Sequence, residues 1–179
     1  MTEAEATNRR SSFPGDMPGK GRTPSDVTVR EADAGDVEGV AEAVGSLLDE
    51  LGGRRPTRAE LETEVRALLE EPAGGSVLIA EADGGIVGVL STSWQRAIHV
   101  PGTYATIQDL WVDEGWRSRG VGAELVEAVA SQARARGVGR LEVGLPRETF
   151  AAIASTESFY RRNGFEHLGP RMRRLLDEP

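Results

Sequence analysis

The stretch from Thr106 to Gly122 constrains this chain more than any other. Thr106-Ile107-Gln108-Asp109-Leu110-Trp111-Val112 reads as a strand, Asp113-Glu114-Gly115-Trp116 turns the chain, and Arg117-Ser118-Arg119-Gly120-Val121-Gly122 opens a helix. That helix carries Leu125, Val126, Val129, Ala130 and Ala133 on one face and stops at Gly137. A strand delivered straight into a glycine-bearing turn at a helix N-terminus belongs to an α/β layer arrangement. It also gathers free backbone N–H groups at the positive end of the helix dipole, which suits an anion and most naturally a phosphate. Gly120 and Gly122 have no side chain to obstruct close approach, and Arg117 and Arg119 add charge. Two familiar phosphate loops are ruled out. A dinucleotide fingerprint needs a glycine where Leu125 stands, and a P-loop needs Gly-Lys-Ser/Thr, whereas Lys20 is the chain's one lysine.

The remaining pattern supplies the elements around this core. Residues 1–26 hold no Val, Ile or Leu and carry Pro14, Pro18 and Pro24, so a disordered tail is expected there, with a single domain over 27–179. Val27-Thr28-Val29-Arg30 reads as a first strand. Val37, Val40, Ala41, Val44, Leu47, Leu48 and Leu51 recur at helical spacing before Gly52-Gly53. Thr57-Arg58-Ala59-Glu60 is a capping box for a second helix with Leu61, Val65, Leu68 and Leu69 on one face; its glutamates read as a solvated surface. Apolar runs at 76–81 and 86–91 flank Asp83-Gly84-Gly85 as a hairpin. Residues 94–104, with Pro101-Gly102, read as a loop, 140–144 as a strand, 149–163 as a last helix, and 165–168 with 171–176 as a closing pair of strands.

Composition then narrows the chemistry. Cysteine is absent, so there is no thiol nucleophile, thiolate-held zinc or acyl-cysteine intermediate. With His99 and His167 as the two histidines, neither a metal site nor a Ser-His-Asp triad is indicated. A net charge of −8 disfavours nucleic acid as a partner. No apolar run reaches the roughly 18 residues of a membrane helix and the first residues lack a secretory signal, so no membrane association and a cytoplasmic location are expected.

Arg117 to Gly122, preceded by Leu110-Trp111-Val112-Asp113, resembles the acetyl-CoA-binding motif of the GNAT superfamily of N-acetyltransferases. Ser158-Phe159-Tyr160-Arg161-Arg162-Asn163-Gly164-Phe165 is similar to that family's closing helix and turn. The resemblance implies a mixed, mostly antiparallel twisted sheet of about seven strands with about four helices, in the order β-α-α-β-β-β-α-β-α-β-β. It implies direct transfer of acetyl from acetyl-CoA to an amine in a ternary complex, with no metal and with a homodimer allowed. In that family the central strand splays from its neighbour, so Leu110, Trp111 and Val112 would meet the pantetheine arm. The stretch Arg117, Ser118, Arg119, Gly120, Val121, Gly122 and Ala123 would hold the pyrophosphate. Tyr160 matches the tyrosine that protonates the departing thiolate, and a phenol of ordinary pKa about 10 is a suitable donor.

The departures are specific. An asparagine common in this family's last helix is replaced by Ile153, leaving Ser155 as a substitute. Gln108 stands where many members have a glutamate, and an amide cannot act as a base. Asp109 matches and could bind or relay a proton from a cationic amine, with Glu142 in reserve. Trp94, His99 and Tyr104 are candidates to line the acceptor mouth. The expected acceptor is a small primary amine; the alternatives are a protein lysine or N-terminus, or a silent CoA-binding module.

Overall fold

The computed structural model describes residues 27–53, 55–169, 171 and 172. Within these, five strands form one sheet in sequential order, β1-β2-β3-β4-β5. The strands are β1 (Thr28–Glu31), β2 (Gly75–Ala82), β3 (Gly85–Ala97), β4 (Val100–Val112) and β5 (Leu141–Val143). Four helices accompany them: α1 (Val37–Leu51), α2 (Arg58–Glu70), α3 (Val121–Ala135) and α4 (Ile153–Arg162). The first four strands pair antiparallel and β5 joins β4 parallel. A parallel neighbour requires a crossover, and α3 is that crossover.

Local sequence explains most boundaries. Thr57 and Glu60 form the expected reciprocal capping box on α2. Gly52, at φ +70°, ends α1 and returns its N–H to the Leu48 carbonyl at 3.0 Å. Asp83 (φ 52°) and Gly84 (φ 77°) form the two-residue turn between β2 and β3, where positive φ at both positions matches the strand twist. Asp36 is held well below the usual carboxylate range by the Arg30 guanidinium, which also grips Glu81 and so fastens β1 to β2.

Alternation along β2 and β3 divides the core between two layers. Leu78, Ala80, Leu90 and Ile107 pack with Val121, Leu125, Val126 and Val129 of α3 and with Tyr160 of α4. Val77, Ile79 and Val89 pack under Val40, Ala41, Leu61 and Val65 of α1 and α2. Leu125 and Val89 are fully buried, and each such side chain contributes about 1.5–3 kcal/mol of transfer free energy.

Two expectations require correction. Residues 94–104 are not a loop: β3 and β4 continue through them and turn at Ile98-His99. The pairing steps from Arg96↔Thr103 to Ala97↔Val100, so Pro101-Gly102 is the excess of a bulge. Proline is tolerated there because β5 does not reach this part of β4. The closing strands are the second correction. Residues 165–168 form no strand, since Phe165 packs on Tyr160 while His167 reaches back to Glu157 and Leu168 is exposed. Residues 173–176 of the expected final strand, like the tail at 1–26, lie outside the described residues. The last helix also begins later than expected, at Ile153, after turns closed by Phe150 N–H to the Arg147 carbonyl and Ile153 N–H to the Phe150 carbonyl.

Gly88 shows how closely α3 sits on the sheet. A Cβ there would lie 2.9 Å from Leu125 Cδ1, 3.1 Å from Val121 Cγ1 and 3.3 Å from Ala80 Cβ. Gly88→Val should therefore lower unfolding stability by about 1–3 kcal/mol in urea denaturation. An unchanged midpoint would show that the α3 contact is looser than described.

Candidate functional site

The site begins where the sheet divides. β4 and β5 share three pairs, Ala105↔Leu141, Thr106↔Glu142 and Ile107↔Val143, and there β5 ends. At the same point the pairing with β3 shifts from Thr92↔Ile107 to Ser91↔Asp109, leaving Gln108 as the extra residue of a bulge. A bulge sharpens the twist of its strand. From Gln108 to Val112, β4 thus carries no strand on its β5 side among the described residues.

Beyond β4 the chain makes a single 3-10 turn over Glu114–Trp116, capped by Asp113, whose Oδ1 accepts the Gly115 N–H at 2.9 Å. Trp116 is buried beneath the turn, and the Arg119 guanidinium lies 5.5 Å from its ring centroid. Ser118 (φ 59°) and Gly120 (φ 92°) curl the backbone so that α3 starts at Val121. The first helical bond runs from Glu124 N–H to the Gly120 carbonyl at 3.0 Å, so the N–H groups of Val121, Gly122 and Ala123 precede the helix's own ladder. A Cβ on Gly120 would meet nothing nearer than Glu124 Oε1 at 3.9 Å. Open space over a helix N-terminus suits an anion.

The two glycines of this motif differ. Gly122 is buried, and a Cβ there would come within 3.2 Å of two ring carbons of Phe159. The sequence alone suggests close ligand approach for Gly122, whereas its packing makes room for α4 against α3. The arginines differ too. Arg117 Nε donates to the Val112 carbonyl at 2.9 Å and its other end pairs with Glu50 on α1, while Arg119 stacks on Trp116.

Tyr160 lies on α4 between Phe159 and Phe165, whose rings meet it edge-on at 5.1 and 5.3 Å. It is 7% exposed. Burial, together with the negative charge of Asp109, pushes its phenol up to about 12. Asp109 lies on β4 in the site's own segment, and its Oδ2 accepts the hydroxyl of buried Ser91 at 2.5 Å. Leu110 and Val112 turn toward the α3 layer, and Trp111 toward the α1 and α2 layer.

The other candidates are distributed more widely. Glu142 is tied to Arg140 at 2.6 Å. Ser155 donates to the Ala152 carbonyl at 2.8 Å on the exposed first turn of α4. Trp94 packs with Ala133 and Val138 under Arg136, on the α3 side, and so does not join Asp109's face. His99 stands exposed at the hairpin tip, whereas Tyr104 sits on β4 opposite Gln95. Ser91, Ser93 and Gln95 are polar residues of the site region that the sequence reading missed. Their period-two spacing along β3 was the available signal.

A sequence model of the acetyltransferase (GNAT) family matches residues 45–165. Solved structures agree with it. An integron cassette protein from the mobile metagenome of Cole Harbour Salt Marsh is 25% identical, with a TM-score of 0.71 over 84% of this chain and 91% of that one. A glucosamine-6-phosphate N-acetyltransferase from Arabidopsis thaliana is 17% identical, with a TM-score of 0.67 over 84% and 99%. An aminoglycoside acetyltransferase from an uncultured soil metagenomic sample is 18% identical, with a TM-score of 0.69 over 86% and 99%. No curated protein sequence matches the chain. The fold is that of the GNAT enzymes, an α/β sheet that is mixed and mostly antiparallel, with five described strands in place of the seven expected. The chain belongs to the GNAT acetyltransferase family, whose members use acetyl-CoA.

The Tyr160 environment can be read by titration. A phenol whose folded pKa is raised above its unfolded value lends stability that is intact below about pH 10 and is lost as pH rises toward 12. Denaturation measured across that window should show a slope of about 1.4 kcal/mol per pH unit that Tyr160→Phe removes. Asp109→Asn should lower the Tyr160 pKa, followed by NMR of the labelled phenol carbon. No movement would separate the two groups.

Proposed function

We propose that the chain is an acetyl-CoA-dependent N-acetyltransferase that moves acetyl directly to a small primary amine within a ternary complex. The observation that carries this reading is the meeting of three features at one place. These are the β5-side edge of β4 from Gln108 onward, which carries no strand among the described residues, the amides at the N-terminus of α3, and a buried tyrosine within electrostatic reach of Asp109. Acetyl-CoA, when bound, supplies the activated acetyl group as a thioester.

In this reading the amides of Ser118 to Ala123 hold the pyrophosphate, with Arg119 adding charge, and the open edge at Leu110, Trp111 and Val112 pairs with the pantetheine arm. Arg117 would instead brace the turn against α1 through Glu50. Tyr160 keeps its proton throughout the physiological range, because burial and Asp109 both oppose the phenolate. The phenol is thus present in its protonated form, and in this reading it gives that proton to the leaving thiolate, whose developing charge draws it. Asp109, steadied by Ser91, attracts the amine and takes up or relays the proton that nitrogen must lose. A small amine as acceptor is supported by the names of structural neighbours, an aminoglycoside acetyltransferase and a glucosamine-6-phosphate N-acetyltransferase.

The test is release of CoA thiol from acetyl-CoA across an amine panel. Tyr160→Phe should lower kcat by about 100-fold or more with little change in acetyl-CoA affinity. Gly120→Val, which forces a β-branched residue to φ 92°, should weaken acetyl-CoA binding by about tenfold or more. Full kcat in Tyr160→Phe would remove the phenol from the mechanism.

A further inference from the structure

The sheet face that buries Val89 and Trp111 under α1 and α2 changes character further along β3. Stepping by two from Val89 brings Ser91, Ser93 and Gln95 to that face, opposite Asp109, Thr106 and Tyr104 of β4, with Gln108 bulged between Asp109 and Thr106. Ser93 Oγ accepts one N–H from Gln95 Nε2 at 2.7 Å and one from Gln108 Nε2 at 2.8 Å. A hydroxyl oxygen has two lone pairs and one proton. With both lone pairs filled by the two amides, the Ser93 proton is left to donate elsewhere. Each glutamine has committed a donor, so its Oε1 remains an acceptor without a partner among the described residues. Each amide also keeps its second N–H, so the three side chains together present three donors and two acceptors, all uncharged.

This cluster borders the proposed reaction centre. Gln108 is the bulged residue at which β4 leaves β5, and Asp109 follows it immediately. Asp109 accepts the Ser91 hydroxyl on Oδ2 and has Oδ1 remaining. Glu142, in register with Thr106 beside Ser93, is already tied to Arg140, so Asp109 is the carboxylate of this cluster left to meet an ammonium group. A plain alkylamine would strip water from the Ser93, Gln95 and Gln108 groups and return no hydrogen bonds, and sites built to bond a hydroxyl discriminate strongly against ligands lacking it. An amine flanked by hydroxyl groups satisfies both halves, with its nitrogen at Asp109 and its hydroxyls on the neutral cluster.

We infer that the acceptor is a hydroxylated monoamine, selected by hydrogen bonds to Ser93, Gln95 and Gln108. This rests on the acetyl-transfer reading above, and the experiment separates the two. D-glucosamine, n-hexylamine and spermidine are titrated calorimetrically into the full chain saturated with CoA, and kcat/KM is measured for each with acetyl-CoA. Glucosamine should bind and react at least about tenfold better than hexylamine, and better than spermidine. Ser93→Ala and Gln108→Ala should each cut the glucosamine-to-hexylamine ratio by about fivefold to tenfold, mainly through KM. Gln108 is exposed, so its variant is expected to fold even if Ser93→Ala does not. An unchanged ratio in the variants, or a preference for hexylamine or spermidine, overturns the inference while leaving acetyl transfer standing. Selective binding of glucosamine without acetylation overturns acetyl transfer while leaving the site assignment standing.

Discussion

The structure depends most on the bulge at Gln108. One extra residue in β4, set against Ser91 and Thr92 of β3, coincides with the last pair between β4 and β5. Without it, β4 would continue flat alongside its parallel neighbour, and its backbone groups would be spent within the sheet. With it, the strand twists more sharply, and a stretch of its β5-side edge carries no strand among the described residues. An open edge is usually a liability that invites another strand. Arg117 caps this one at the Val112 carbonyl, and the proposed use of the rest is to pair with an extended ligand.

The second dependence runs between helices. Gly122 at the start of α3 leaves the space that the Phe159 ring fills, and Tyr160 is the next residue on α4. The turn proposed to hold the pyrophosphate and the phenol proposed to supply the proton are therefore fixed by one packing contact. That contact gives the two sequence motifs, distant along the chain, a common physical reason: glycine is needed in the first because an aromatic ring is present in the second.

Much of the fold was legible where one local rule acted without competition. The capping box at Thr57, the Asp83-Gly84 turn and the apolar stripes of α1 and α3 are each decided by neighbours within a few residues. The reading failed at Pro101-Gly102, where turn-forming residues sit inside a bulge of a long hairpin, because tertiary pairing outweighed local propensity. It also failed at residues 165–168, whose strand-like composition is drawn instead to Tyr160 and Glu157. In the proposed site, the family resemblance pointed to Tyr160 and Asp109, and the strand-turn-helix pattern to the loop. They could not reveal that Arg117 is taken up by Glu50, or that Ser93 gathers two glutamines, since both depend on partners distant in sequence.

The chain carries a net charge of −8, yet its proposed cosubstrate is an anion. Pairing with Glu50 reduces what Arg117 can contribute in net charge at the turn, so the field at 118–123 comes chiefly from oriented backbone dipoles and Arg119. Backbone amides are directional and act over the first turn of a helix, whereas a lysine cluster would attract anions over a Debye length of about 8 Å in physiological salt. An acidic surface with an amide-lined anion site therefore discriminates by shape at short range and by charge at long range. For the proposed reaction, that division would favour cationic amines in the approach and hold phosphates only where they fit.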